Sequence, residues 1–399
     1  MINDKQFFPT LHNNKKLAYF DNAASTQTHQ FVLDAMDKYY SHFRSNIGEH
    51  GDNPLSVKSS AAVELATEQV ANFINVKPEE IIFTSGTTQG LNMIANWGKS
   101  YDYVIICESD HNANISPWIA QGRTQENGRL IVLPVDDFNG LIDLNYLESQ
   151  LQNIDGSCII SICATSNVTG VTQPWETIAD LGHKYGASIA MDFCQTAPHY
   201  KIDLTACPVE WAVFSGHKMF GPTGIGVLYT PFKEYNLSPQ YFGGGALNVT
   251  FNSISHTDTA SKHMPGTPNI AGIIGLGMAC EMLSYYGMEN IRNDEKQVYD
   301  WLLSYGIDVV PNSTLVPSHR GSGNNIFTLV PISGHSQDIS LLLSTKDVAV
   351  RCGRLCAHPY VNKISSKGVV RVSFSPYNTE KDCKKLVEEL NIAFAKVKT

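Results

Sequence analysis

The 399-residue chain has no excess of basic charge: 29 Lys and Arg stand against 38 Asp and Glu, for a net charge of -9. That balance disfavours nonspecific nucleic-acid binding, which draws on clustered cations, and makes small metabolites the expected partners. No apolar run approaches the roughly 18 residues of a membrane span. The opening Met1-Ile-Asn-Asp-Lys-Gln lacks the pattern of a signal peptide. A soluble, cytoplasmic protein with no membrane partner is expected. A disulfide framework is also missing, because the nine cysteines are odd in number and sit mostly inside apolar runs, so they read as reduced thiols. Only Cys352 and Cys356 approach a metal-ligand spacing; without a second ligand pair no metal is expected. There is no internal repeat and no low-complexity segment. What remains is a chain long enough to bury a large core in two or three structural units.

One lysine separates an apolar run from a glycine-rich run in Val213-Phe-Ser-Gly-His-Lys-Met-Phe-Gly-Pro-Thr-Gly-Ile-Gly-Val-Leu-Tyr229. Residues 211–214 and 225–229 are short, apolar and bounded by Gly and Pro, so each reads as a buried strand with Lys218 on the tight turn between them. Desolvation disfavours the charged form of a lysine there unless it is paired, open to a cavity or covalently modified, and the resulting low pKa suits a Schiff-base lysine. Ser215, Gly216 and His217 add a hydroxyl, a close backbone approach and an imidazole, which suit a phosphate. A surface lysine snorkelling from a glycine-rich turn has the same local sequence.

Along the chain, residues 17–25 predict a short strand breaking into a small-residue turn, preceded by a loosely packed N-terminal arm. Residues 31–44 and 56–74 predict helices, joined by a polar loop over 45–54 that either carries function or only connects. A strand over 80–83 leads through Thr87 and Thr88 into a helix. Its first turn offers N–H groups and a helix dipole to an anion, or is simply capped. The 103–107 strand ends just before His111, where open parallel sheets place ligands, although a lone histidine there is as readily structural. Strands over 130–135 and 158–163 follow, then a helix over 174–185 with Pro at its first turn and Gly186 past its end. The 187–191 strand delivers Asp192 and Gln195. This alternation predicts an α/β fold with a mostly parallel, doubly wound sheet. Helix over 271–305, strands near 308–311 and 324–330, and a last helix capped by Thr379 predict a smaller α+β C-terminal domain. The expected division is a large domain over 16–282 and a small one over 283–399 that takes the arm 1–15.

Thr87 and Thr88, His111, Asp192 and Gln195, and Ser215, His217 and Lys218 all fall at strand ends. A Schiff-base lysine, an aspartate facing a pyridinium and a phosphate cradle are the parts of a pyridoxal phosphate site. From Tyr19-Phe-Asp-Asn-Ala-Ala-Ser to Arg371-Val-Ser-Phe-Ser-Pro-Tyr-Asn378, and most strongly in Ser-Gly-His-Lys-Met-Phe-Gly-Pro-Thr-Gly-Ile-Gly, the sequence resembles the class V aminotransferase family of fold-type I pyridoxal phosphate enzymes. Within it the resemblance is to the SufS-type cysteine desulfurases and selenocysteine lyases. The resemblance implies that Lys218 forms the Schiff base with pyridoxal 5'-phosphate, Asp192 partners the pyridine nitrogen, Gln195 the ring oxygen, and His111 stacks on the ring. It implies phosphate contacts from Thr87, Thr88, Ser215 and His217, and one from Thr267 that crosses from the second subunit of a homodimer. Asn167, Arg351 and Arg371 would hold the substrate, Arg371 through a bidentate pair with its carboxylate. Arg351-Cys-Gly-Arg-Leu-Cys-Ala-His-Pro359 resembles the loop of the desulfurase nucleophile, so Cys356 is the match, with Arg351 and Arg354 favouring its thiolate.

The implied reaction takes L-cysteine to L-alanine and leaves a persulfide on Cys356 for a sulfur-acceptor protein. The chain departs from the SufS pattern at His50-Gly-Asp-Asn53, at Leu355, at His358-Pro359 and at Phe193-Cys194. Those positions surround the substrate rather than the cofactor. They keep open an aminotransferase, lyase or epimerase acting on another amino acid, with Cys356 a buried bystander.

Overall fold

The structure is a computed structural model and describes residues 2–47, 53–231, 237–245, 247–256, 259–316 and 325–397. Its centre is a seven-stranded sheet in the order Ile81–Thr84, Gly226–Tyr229, Trp211–Ser215, Ser188–Asp192, Cys158–Cys163, Tyr103–Cys107, Leu130–Leu133. All pairings are parallel except the two made by Gly226–Tyr229. The middle strands are buried along their whole length, as near-continuous Val, Ile and Ala runs require when helices cover both faces. Parallel crossovers put the strand-to-helix turns at one edge, so residues far apart in sequence are delivered to the same place.

A second, antiparallel sheet of Ser313–Leu315, Ile326–Pro331, Val369–Ser373 and Arg351–Gly353 is backed by the Glu380–Lys396 helix. The expected cap of that helix is present: Thr379 accepts from the Asp382 N–H, and Asp382 in return accepts from the Thr379 N–H at 2.8 Å. Cys383, Leu386, Val387, Leu390, Ala393 and Phe394 form its buried stripe.

Several expectations are corrected. The single helix over 271–305 is two, Ile270–Tyr286 and Met288–Ser304, bent by 79° at Gly287, whose φ of 87° suits glycine and ends the first helix. No single helix among the described residues is long and apolar enough to cross a membrane. Residues 307–309 form a 3-10 turn, and the strand begins at Ser313. The arm is not loose. Ile2, Phe8 and Leu11 are buried, Phe8 packs edge-on against His29 and Tyr377, and Lys5 pairs with Asp382 at 2.6 Å. Apolar residues spaced across a short polar segment gave no periodic signal, yet three of them suffice to pin it. The short strand Ala18–Tyr19 pairs with Val348–Ala349, and Ala18 and Phe20 lie in the core of the second sheet. The loop departure at His50-Gly51-Asp52 lies outside the described residues.

Candidate active site

The C-terminal ends of the parallel strands open onto a cavity of 370 Å³ that Arg351, Leu355, Cys356 and Arg371 also line. Lys218 ends a 3-10 turn, Gly216–Lys218, directly after the Trp211–Ser215 strand. The turn favours glycine at 216, since a Cβ there would stand a tight 3.0 Å from the Pro222 carbonyl oxygen. Half-buried, Lys218 faces the cavity, and its charge acts on His111, Asp192, Cys194 and His217 together. The reading of Lys218 as a snorkelling surface residue is excluded by this placement.

Asp192 is buried; one oxygen accepts from the Cys194 N–H at 2.8 Å and the other from the Cys163 thiol at 3.5 Å. Burial raises its pKa and the Lys218 charge opposes that rise. Burial, reinforced by Lys218, lowers both His111 and His217 to about 4, so both rings are neutral at physiological pH. A neutral ring suits stacking for His111, and it leaves His217 one N–H to donate. The His111 Nδ1 accepts from the Ala113 N–H at 3.1 Å, which fixes the ring at the start of the Asn112–Ala120 helix.

Thr88 lines the cavity at the first turn of the Thr87–Trp97 helix, whose N-cap residue, Gly86, has no side chain to cap it. Thr87 is turned inward: its N–H and its hydroxyl both meet Ser215 Oγ at 2.9 Å, and the hydroxyl lies 2.8 Å from Cys194 Sγ. It therefore ties strand ends together, with Ser215 shared between the tie and the cavity. The close approach depends on Gly226, where a Cβ would stand 2.7 Å from the Gly86 Cα. Cys194, noted as a sequence departure, thus has a structural partner. Thr267 is exposed and is not among the residues lining the cavity.

Arg371 is buried, donating to the Asn167 carbonyl at 2.8 Å and to Asp21 at 3.3 Å. Burial lowers its pKa to about 10, still charged at neutral pH. Arg351 holds the same carboxylate at 2.6 Å and 3.2 Å. Asp21, whose place in a small-residue turn carries no sign of this role, therefore offsets the repulsion of two neighbouring guanidinium groups. Arg354 is exposed and does not line the cavity, whereas Arg351 and Arg371 line it together with Cys356. The spacing within the loop could not show that the Arg354 side chain points away.

Leu355 and Cys356 both adopt left-handed φ, 52° and 51°. Each costs about 1–2 kcal/mol for a residue with a Cβ. The turn lifts Cys356 into the cavity mouth, exposed, while Leu355 is buried beneath it. The Asn167 amide donates to the Leu355 carbonyl at 2.7 Å, and Asn112 N–H donates to the Cys356 carbonyl at 2.6 Å. The expectation that Cys356 could be a buried bystander is not met. The other cysteines are free thiols, Cys352 partly buried and the rest buried.

The chemistry of the donor set fits pyridoxal phosphate. Gln195 Oε1, Asn167 Oδ1 and Arg371 Nε belong to cavity-lining residues and are buried without a hydrogen-bond partner, a costly state that a polar ligand relieves. A buried carboxylate suits a protonated ring nitrogen, a primary amine suits an aldehyde, and the N-terminus of a helix suits a phosphate. Fold and site together are those of the fold-type I, pyridoxal phosphate-dependent enzymes.

The sequence matches the Aminotransferase class-V family over residues 18–386, and the chain belongs to that family. A cysteine desulfurase of Synechococcus elongatus is 35% identical over 98% of this chain, which spans 63% of that longer relative. The cysteine desulfurase of Escherichia coli O7:K1 is 34% identical over 96% of this chain and 95% of the relative. Among solved structures, the cysteine desulfurase CsdA of Escherichia coli superposes with a TM-score of 0.87 at 28% identity, covering 98% of both chains. The apo cysteine desulfurase of Thermococcus onnurineus gives 0.88 at 26% identity, over 99% of this chain and 97% of the other.

Proposed function

We propose that the protein is a cysteine desulfurase, converting L-cysteine to L-alanine and carrying the sulfur as a persulfide on Cys356 to an acceptor protein. The observation that carries this reading is the position of Cys356: an exposed thiol on a left-handed turn at the mouth of the same cavity that Lys218, Asp192 and Arg371 line.

When bound, pyridoxal phosphate supplies an electron sink that makes the substrate α-proton removable. Lys218 would hold the cofactor covalently, and its amine is the base placed to take that proton. Asp192 would keep a proton at the pyridine nitrogen, Gln195 would partner the ring oxygen, and His111 would stack on the ring. Thr88, Ser215 and His217 would hold the phosphate, with Thr87 bracing Ser215. Arg371 and Arg351 take the substrate carboxylate, exchanging part of their pairing with Asp21 for it, and Asn167 meets the substrate beside them. The Cys356 thiolate then forms a bond to the substrate sulfur, the Cβ–S bond breaks with its electron pair left on carbon, Cβ takes up a proton, and return of the α-proton from Lys218 completes alanine. The persulfide so formed faces solvent, where an acceptor can reach it. Incubation with L-cysteine and excess reductant should give alanine and sulfide in equal amounts; absence of alanine would end this reading.

The same reading divides the chain into a cofactor-binding unit over 16–282 and a small unit over 283–399 with the arm, and makes the protein a cytoplasmic homodimer. Support for the dimer comes from Thr267, which is exposed and away from its own chain's cavity, as a residue reaching a neighbour's phosphate must be. Light scattering should give a dimer, and Thr267→Ala should weaken cofactor retention about tenfold, the loss of one hydrogen bond to a charged group. A monomer that retains cofactor fully is the contrary result.

A further inference from the structure

The segment that carries Cys356 continues into the helix His358–Ile364, and this helix has no cap of its own: Ala357, at the N-cap position, offers no side-chain acceptor. The acceptor comes from elsewhere. Asn112 Oδ1 takes the His358 N–H at 3.1 Å, while the Asn112 backbone N–H donates to the Cys356 carbonyl at 2.6 Å. One residue thus grips the chain on both sides of Ala357. Lys363, on the same helix, reaches back to Glu108 at 2.9 Å, so the whole segment is docked on residues 108–112. Asn112 directly follows His111, whose ring lines the cavity and is fixed by the Ala113 N–H. The step that places the imidazole therefore also places the thiol, through the left-handed turn at Leu355 and Cys356.

We infer that Asn112 is the positioning residue for the nucleophile: by capping the His358–Ile364 helix from a different strand end, it sets the reach of Cys356 relative to the substrate held beside His111. It acts through Cys356 and does not touch the reacting atoms. The inference rests on the reading of Cys356 as the nucleophile. Removing the side chain leaves the backbone contact and deletes the cap, so the turn loses one of the restraints that hold its unfavourable dihedrals.

The test compares holoenzymes of wild type, Asn112→Ala, Asn112→Asp and Cys356→Ala. In Asn112→Ala, the half-saturating concentration of L-cysteine for the cofactor's spectral change should stay within about twofold of wild type. Single-turnover alanine formation should fall roughly fivefold or more, the weight of one helix cap, and the His358 amide should exchange with deuterium at least roughly fivefold faster. Asn112→Asp keeps an acceptor oxygen and should recover most of the rate. Wild-type alanine formation in Asn112→Ala, or a loss matched by weaker L-cysteine binding, overturns the inference even where Cys356 is required. Undiminished alanine formation in Cys356→Ala instead overturns the functional reading itself.

Discussion

Cys356→Ala should lose alanine formation from L-cysteine by roughly a thousandfold or more, the scale on which removal of a nucleophile is felt. It should still bind pyridoxal phosphate and still change its spectrum when L-cysteine is added. The two effects separate because the cofactor contacts come from the ends of the large sheet, whereas Cys356 arrives on a turn of the second sheet with its side chain exposed at the cavity mouth. Brief alkylation at neutral pH should reproduce the variant, since Cys356 is the exposed thiol of the nine. Cys352→Ala is the control. Its thiol is partly buried and its pKa is pushed up to about 11, chiefly by burial, so little activity should depend on it. An aminotransferase or epimerase would keep its turnover in Cys356→Ala. Alanine and trapped persulfide measured in both variants decide between these chemistries.

Lys218→Ala should reduce turnover on the order of 10⁴-fold, because one amine serves as both the covalent anchor and the proton acceptor. The purified variant should also lose the yellow colour of a lysine-linked cofactor. Borohydride treatment of wild type followed by peptide mapping should label the peptide containing Lys218; a label on another lysine, or on none, contradicts the assignment. Binding of the free cofactor should weaken rather than vanish. The helix start at Thr87 and Thr88, the buried Asp192 and the His111 ring remain in place, and none of them is oriented by a hydrogen bond to Lys218.

Much of this site was legible in the chain because it is built from local signals. Short apolar strands bounded by turns locate the strand ends, and each strand end of a parallel sheet delivers its next few residues to one edge. That geometry places Lys218, Asp192, Gln195, His111 and Thr88 at one edge, and the family resemblance supplies their roles. The apolar stripe of the last helix and its Thr379 cap were readable for the same reason: both are patterns within a single element.

What tertiary structure decided are the relations between elements with no common local pattern. The sequence places Asp21 in a small-residue turn and the two arginines some 330 and 350 positions away; only the meeting of the first strand with the second sheet brings one carboxylate between both guanidinium groups. Thr87 and Thr88 are indistinguishable by composition and both line the cavity, yet only Thr87 is tied to Ser215 across the strand ends. Arg354 is nearer to Cys356 in the chain than Arg351 is, yet only Arg351 lines the cavity with it. Asn112 carries no signal at all in one dimension, because its partner is a helix start nearly 250 residues on. Backbone hydrogen bonding and apolar periodicity act over a few residues and are written in order along the chain. Charge pairing and capping across elements act through space, and they exist only once the two sheets are packed together.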